Sequence, residues 1–131
     1  MSDTAVISIS KVGTVIIPVA DQDQAIDFYV GKLGFEKRAD LPFGGNYRWV
    51  EVAPAGGATT IALAPPPQGT STGGRETGIA LNTDDVDGVH AALKARGVDV
   101  DAEVSRMGED VPPMFWFRDP EKNSLLVVQT A

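Results

Sequence analysis

The stretch VADQDQAIDFYVGKLGF, from Val19 to Phe35, carries the start and stop signals of an amphipathic helix. Asp21 stands where an N-terminal helix cap belongs, and Gly34 stands where a C-terminal cap belongs. Between them lies a stripe of apolar residues at helical spacing: Ala25, Ile26, Tyr29, Val30 and Leu33. The pattern therefore predicts a helix over residues 22–32 with one buried face.

Short β-rich segments surround this predicted helix. TVIIPVAD precedes it, and FEKRA, YRWVEVA and TTIALA follow it, the last two as a hairpin around PAGGA. The segment PPPQGTSTGG at positions 65–74 combines prolines with small polar residues and predicts a linker. The order strand–helix–strand–strand–strand is therefore complete before position 65.

The same order repeats after the linker. TGIALNTD predicts a strand, Asp84 is placed to cap a helix that extends to about Arg96, and Gly97 is placed to end it. Asp84 and Gly97 are 13 positions apart, as are Asp21 and Gly34. VDVDAEV and the hairpin MFWFRDPEKNSLLVVQ complete a second copy.

This repeat predicts an α+β fold of two tandem βαβββ modules, whose curved mixed sheets form a half-barrel cleft with the helices on the outside. The first module is expected over residues 12–64, the linker over 65–74 and the second module over 75–131. Two curved sheets that enclose a cleft make a natural ligand site.

Composition limits the possible partners. The chain has 131 residues, a net charge of −7 and no cysteine. The acidic balance disfavours nucleic acid and anionic membrane surfaces, and the apolar runs are too short to span a bilayer. With no cysteine and no apparent signal peptide, we expect a cytoplasmic protein of one domain.

The repeat and two motifs together resemble the vicinal oxygen chelate superfamily, which includes glyoxalase I, extradiol dioxygenases and bleomycin resistance proteins. In VADQDQAIDFYVGKLGF the resemblance rests on Asp21, Ala25, Phe28, Tyr29, Leu33, Gly34 and Phe35. In FRDPEKNSLLVV it rests on Asp119, Pro120, Asn123 and the flanking strands. It covers about residues 12 to 130 and implies the fold more firmly than the function.

The resemblance also implies four strand positions at which metal-dependent members carry ligands. In this sequence those positions hold residues that do not normally bind metals through their side chains: Thr14, Ala62, Gly78 and Leu126. The one histidine, His90, lies on the predicted second helix and is interpreted as a residue at the helix boundary. We therefore expect no metal and no cofactor.

Strand alternation from those positions predicts the residues that line the cleft. The candidate ligand-binding residues are Thr14, Phe43, Trp49, Glu51, Thr60, Asn82, Met114, Trp116 and Leu126. Such a wall suits a flat organic molecule that stacks on indole. For the two tryptophans, a place in the core is the alternative.

Glu51 is the one residue considered for catalysis. It could balance a cationic ligand, or accept a proton if burial raises its pKa. Alternatively, it lies at a sheet edge and meets water or Arg48.

Three functions remain open at this point. The first is a metal-free binding protein for an aromatic or cationic, drug-like organic molecule, similar to the bleomycin-resistance branch. The second is a glyoxalase-like lyase or isomerase, or another enzyme of the superfamily with a non-standard site. The third is a structural or regulatory module whose cleft has collapsed. The resemblance further implies a homodimer.

Overall fold

The computed structural model describes residues 6–42 and 44–130, and it confirms the α+β fold of two βαβββ modules. The strands of the first sheet are β1 (Thr14–Pro18), β2 (Glu36–Pro42), β3 (Arg48–Ala53) and β4 (Thr60–Ala64). Their order in the sheet is β1-β4-β3-β2, with β1 parallel to β4 and the other pairs antiparallel.

The strands of the second sheet are β5 (Glu76–Thr83), β6 (Asp99–Val100), β7 (Met114–Arg118) and β8 (Ser124–Gln129). This sheet repeats the topology of the first with the order β5-β8-β7-β6. Here β5 is parallel to β8, and β8, β7 and β6 are antiparallel neighbours. The equivalence of the two sheets agrees with the repeat seen in the sequence.

The first helix begins where predicted but changes geometry along its length. The side chain of Asp21 accepts a hydrogen bond from the backbone N–H of Gln24, and helix α1 (Gln22–Ile26) follows. The chain then continues as a π-helical segment (Asp27–Lys32) and turns at Gly34, whose φ is +78°. A positive φ of this kind suits a glycine at the end of a helix.

The second helix corrects one prediction, since its cap is Asp85 and not Asp84. The Asp85 side chain accepts a 3.0 Å bond from the backbone N–H of Gly88, and helix α2 (Val86–Ala95) follows. From Asp85 to Gly97 there are only 12 positions, one fewer than in the first module. The wider π-helical turn of the first module accommodates its extra residue.

Both modules contribute to one apolar core. Val50 and Val52 of the first sheet and Phe115 and Phe117 of the second are fully buried in it. Phe28 of the first helix lies with its ring centroid 6.1 Å from that of Phe117. The helix-bearing faces of the two sheets therefore lie toward each other, and each sheet keeps an opposite face, here called its open face.

The β7–β8 turn joins the modules with polar contacts. The hydroxyl of Tyr29 donates to Asp119 Oδ2 at 3.0 Å, and Asn123 Nδ2 donates to the same oxygen. The carboxylate of Glu121 accepts from the backbone N–H groups of Ala20 and Asp21. The DPEKN motif therefore has a structural role in holding the two modules together.

Among the described residues, no helix is long and apolar enough to cross a membrane.

Candidate functional site

Four of the predicted residues form a hydrogen-bonded strip on the open face of the first sheet. The indole Nε1–H of Trp49 donates to Glu51 Oε2 at 2.7 Å, and the hydroxyl of Thr60 donates to Glu51 Oε1 at 2.6 Å. The hydroxyls of Thr14 and Thr60 are 2.9 Å apart. Strand alternation produces this arrangement, because Val50 and Val52 point into the core and Trp49 and Glu51 point away from it.

The strip keeps Glu51 ionised. The hydrogen bond from Thr60 and then that from Trp49 lower the pKa of Glu51, and they outweigh the opposing effect of desolvation. The proton-acceptor role is considered only for the case that burial raises the pKa of Glu51, and in the structure this pKa is lowered instead. Arg48 does not compensate Glu51, because its guanidinium bonds to Asp40 and Asp23.

The open face of the second sheet carries a largely apolar group of predicted residues. Strand pairing places Trp116 opposite Leu126 and Leu126 opposite Ala80, so these three form one row across the sheet. Met114, Val128 and Asn82 form the next row. Trp116, Met114 and Leu126 are half-buried, so their side chains keep some exposed surface.

The two groups of predicted residues lie on different open faces of the chain. A cavity of about 450 Å³ between the modules has Val15 and Ile61 of the first sheet and Ile79 and Leu81 of the second in its lining. These four residues alternate with the open-face residues along their strands, so they belong to the helix-bearing sides. Gly78 and Ala80 of the edge strand β5 also line this cavity. Within one chain, the strip on the first sheet and the apolar group on the second sheet are therefore two separate clusters.

Two other residues considered from the sequence, Phe43 and His90, belong to neither of these groups. Phe43 lies outside the described residues. His90 is held on the helix side of the second sheet, where its Nε2 lies 2.7 Å from the carbonyl oxygen of Asp101 and its ring meets the ring of Phe115 edge-on. This histidine stabilises the second module and lies away from its open face.

The donor set does not fit a metal ion of the family type. Thr14, Ala62, Gly78 and Leu126 offer one hydroxyl between them, and that hydroxyl is hydrogen-bonded to Thr60. Over the described ranges, no group of three or more His, Cys, Asp or Glu residues could hold a metal ion. A catalytic metal centre needs several nitrogen, sulfur or carboxylate ligands that converge.

Sequence reasoning missed two residues on the first open face. Leu41 of β2 lies opposite Trp49 and is 59% exposed, and Ala39 lies opposite Glu51. Ile16, which alternation does place on this face, is 58% exposed. The signal that could have found Leu41 is the β2–β3 register, but a shift between Lys37 and Ala39 conceals that register in the sequence.

Comparisons with known proteins agree with this architecture. The family model described as Glyoxalase/Bleomycin resistance protein/Dioxygenase superfamily matches residues 11–127. A solved member of that superfamily from Sphaerobacter thermophilus is 37% identical with a TM-score of 0.86, over 95% of this chain and 100% of that one.

Two further relatives cover almost the whole chain. TnmS3, an antibiotic binding protein from Streptomyces sp. CB03234, is 36% identical with a TM-score of 0.83, over 95% of this chain and 99% of that one. YetH of Bacillus subtilis is 30% identical over 119 residues, which is 91% of this chain and 98% of that protein.

Proposed function

This chain belongs to the Glyoxalase/Bleomycin resistance protein/Dioxygenase superfamily, and we propose that it binds an aromatic or cationic organic molecule without a metal ion. A role in small-molecule binding is supported by its likeness to TnmS3, which is an antibiotic binding protein. The observation that carries the finer proposal is Trp49, whose indole is tied to an ionised carboxylate on an open sheet face.

The chemistry of the open faces suits such a ligand. An indole offers a broad, rigid surface for stacking, and Glu51 offers a negative charge that attracts a cation to the face of the ring. Each tryptophan has an aliphatic cross-strand neighbour on its open face, Leu41 beside Trp49 and Leu126 beside Trp116, and such side chains suit contact with an apolar ring system.

A second copy of the chain completes the site in this proposal. The two groups of site residues lie on separate four-stranded sheets whose helix-bearing sides share the core, and in this proposal a second copy closes the cleft over each group. A homodimer would place the strip of one copy opposite Trp116, Met114, Leu126 and Asn82 of the other. The apolar segment before β1 supports association, because Val6, Ile7 and Ile9 are each more than 80% exposed.

The proposal also includes a cytoplasmic location and no nucleic-acid partner. A net charge of −7 opposes binding to phosphate backbones, and a chain without cysteine suits a reducing compartment. The lyase alternative is less well supported, because Glu51 is the only base considered and its pKa is lowered.

A titration with 9-aminoacridine, a planar aromatic cation, tests the proposed function. Energy transfer from tryptophan to the bound dye is followed in the native chain and in the Trp49→Phe and Trp116→Phe variants. We expect saturable quenching in all three, with weaker binding in each variant, because each loses one stacking surface. Unsaturable quenching in the native chain would contradict the proposal.

Sedimentation equilibrium tests the dimer. The chain has a mass of 13.8 kDa, so the proposal requires a particle of twice that mass at the concentrations used for the titration. A monomer that binds the dye stoichiometrically would disprove the shared cleft and leave the binding role standing.

A further inference from the structure

We propose that the strip formed by Thr14, Thr60, Glu51 and Trp49 selects ligands whose polar group donates a hydrogen bond, and rejects ligands whose polar group only accepts one. The selected groups are a protonated amine or a hydroxyl on an aromatic ring system. This inference rests on the proposed binding function and specifies the ligand class of the same site.

The direction of the hydrogen bonds within the strip follows from a count of hydrogens. A threonine hydroxyl has one hydrogen to donate. The hydrogen of Thr60 goes to Glu51 Oε1 at 2.6 Å, because that acceptor is charged and close, whereas the carbonyl oxygen of Gly13 is neutral and 3.4 Å away. Thr60 therefore has no hydrogen left for Thr14.

The contact between the two threonines then has only one possible direction. Thr14 must donate to Thr60 across their 2.9 Å separation. A hydroxyl that donates to an anion also becomes a stronger acceptor, which reinforces this direction. On the other side of the carboxylate, the indole N–H of Trp49 is committed to Oε2. The strip is thus polarised from both ends toward Glu51.

The consequence is that the strip offers a ligand only lone pairs. The three polar hydrogens of its side chains are all donated within the strip. The hydrogen-bonding capacity that remains for a ligand consists of lone pairs on the exposed Thr14 hydroxyl and on the half-buried carboxylate of Glu51. A ligand donor satisfies these lone pairs. A ligand acceptor instead faces them unpaired once water is displaced, which weakens binding on the order of 10- to 100-fold.

The Glu51→Gln variant should reverse the polarity of the strip. The amide oxygen of the glutamine accepts from Trp49, so its NH₂ group faces Thr60 and donates to the hydroxyl oxygen. The hydrogen of Thr60 is then free to turn toward Thr14, and the hydrogen of Thr14 is free to turn toward the ligand. One substitution of nearly equal shape thereby changes an accepting strip into a donating one.

Paired titrations with 2-naphthol and 2-methoxynaphthalene test this inference, since both are neutral and share one ring system but only the naphthol donates. Binding is followed through the indole N–H signals of Trp49 and Trp116 in ¹⁵N-labelled protein. We expect the native chain to bind naphthol on the order of 10- to 100-fold more tightly. In Glu51→Gln the ratio should fall to one or below.

Two further variants make the result specific to the strip. Glu103→Gln removes an exposed carboxylate elsewhere on the chain and should leave the ratio unchanged. Thr14→Val is nearly isosteric and removes the terminal acceptor, so it should lower the ratio even if Glu51→Gln does not fold. A native ratio near one would overturn the inference, as would a native-like ratio in both strip variants.

Failure of the inference can be told apart from failure of the proposed function. If both naphthalenes bind equally, the donor preference is wrong and the binding function stands. If neither naphthalene binds, the inference is overturned, and the 9-aminoacridine titration decides separately whether the chain binds aromatic molecules.

Discussion

Replacing Tyr29 by phenylalanine removes a single oxygen atom from the contact that joins the two modules. Tyr29 is fully buried, and its hydroxyl donates to Asp119 Oδ2 at 3.0 Å. Asp119 is itself buried and also accepts from the backbone N–H groups of Glu121 and Asn123 and from the Asn123 side chain. The variant therefore leaves a buried carboxylate with one donor fewer.

The expected cost follows from the charge of the acceptor. A hydrogen bond to a charged group contributes about 1.5–3 kcal/mol, whereas one between neutral groups contributes about 1 kcal/mol. Unfolding entropy is about 2.1 cal/mol/K per residue, so for a chain of 131 residues 1 kcal/mol corresponds to roughly 3.6 °C in Tm. The variant should therefore melt roughly 5–11 °C below the native chain.

Differential scanning calorimetry measures this shift, with Tyr47→Phe as the matched control. Tyr47 is 56% exposed, so removal of its hydroxyl should change Tm by no more than about 1–2 °C, as expected for a surface position. Because both modules share one core, a single transition is expected in every variant. Equal melting temperatures for the two variants would refute the role assigned to the Tyr29–Asp119 contact.

Three further predictions follow from the fold. Burial, and then the charge of Asp119, raise the pKa of Tyr29 far above its ordinary range. The protonated Tyr29 hydroxyl therefore makes its full contribution to the free energy of unfolding below the unfolded tyrosine pKa of about 10, and this contribution is lost as pH rises above that value. Alkaline titration of tyrosinate absorbance should show Tyr29 ionising only as the chain unfolds, and ionisation of Tyr29 in the folded state would count against this. Leu93→Ala should lower the free energy of unfolding by about 2–5 kcal/mol in urea denaturation, and Leu93→Met by less than about 1.5 kcal/mol, because Leu93 lies in the shared core. A loss in Leu93→Ala as small as that in Leu93→Met would contradict this. Gly34→Ala should lower the free energy of unfolding by about 1–2 kcal/mol, since Gly34 has a φ of +78°. Gly31→Ala is the control, because Gly31 is helical and equally open, and it should be neutral or stabilising. A neutral effect of Gly34→Ala would contradict the positive φ.

The sequence was sufficient to predict the topology because local signals repeat in it. A capping aspartate, an apolar stripe and a closing glycine define the first helix, and similar signals recur in the second module. Strand alternation correctly separated Val50 and Val52 from Trp49 and Glu51. These features depend on neighbours along the chain, which is why they can be inferred without coordinates.

Features that depend on pairing between distant segments could not be predicted in this way. The contact of Glu51 with Thr60, which lowers the pKa of Glu51, depends on how β3 pairs with β4. The choice between Asp84 and Asp85 as cap depends on one residue that a π-helical turn absorbs in the other module. The separation of the two open faces depends on how the helix-bearing sides meet, for which no local pattern is a guide.

Whether the open faces bind an organic molecule without a metal ion can be measured through the binding of 9-aminoacridine to protein with and without metals. Isothermal titration calorimetry is carried out on chelator-treated protein, then repeated after addition of zinc, nickel or iron, with metal content determined on the purified chain. We expect the same affinity in all of these samples and no stoichiometric transition metal. Binding that appears only after a metal is added, or a transition ion that co-purifies at one per site, would contradict it.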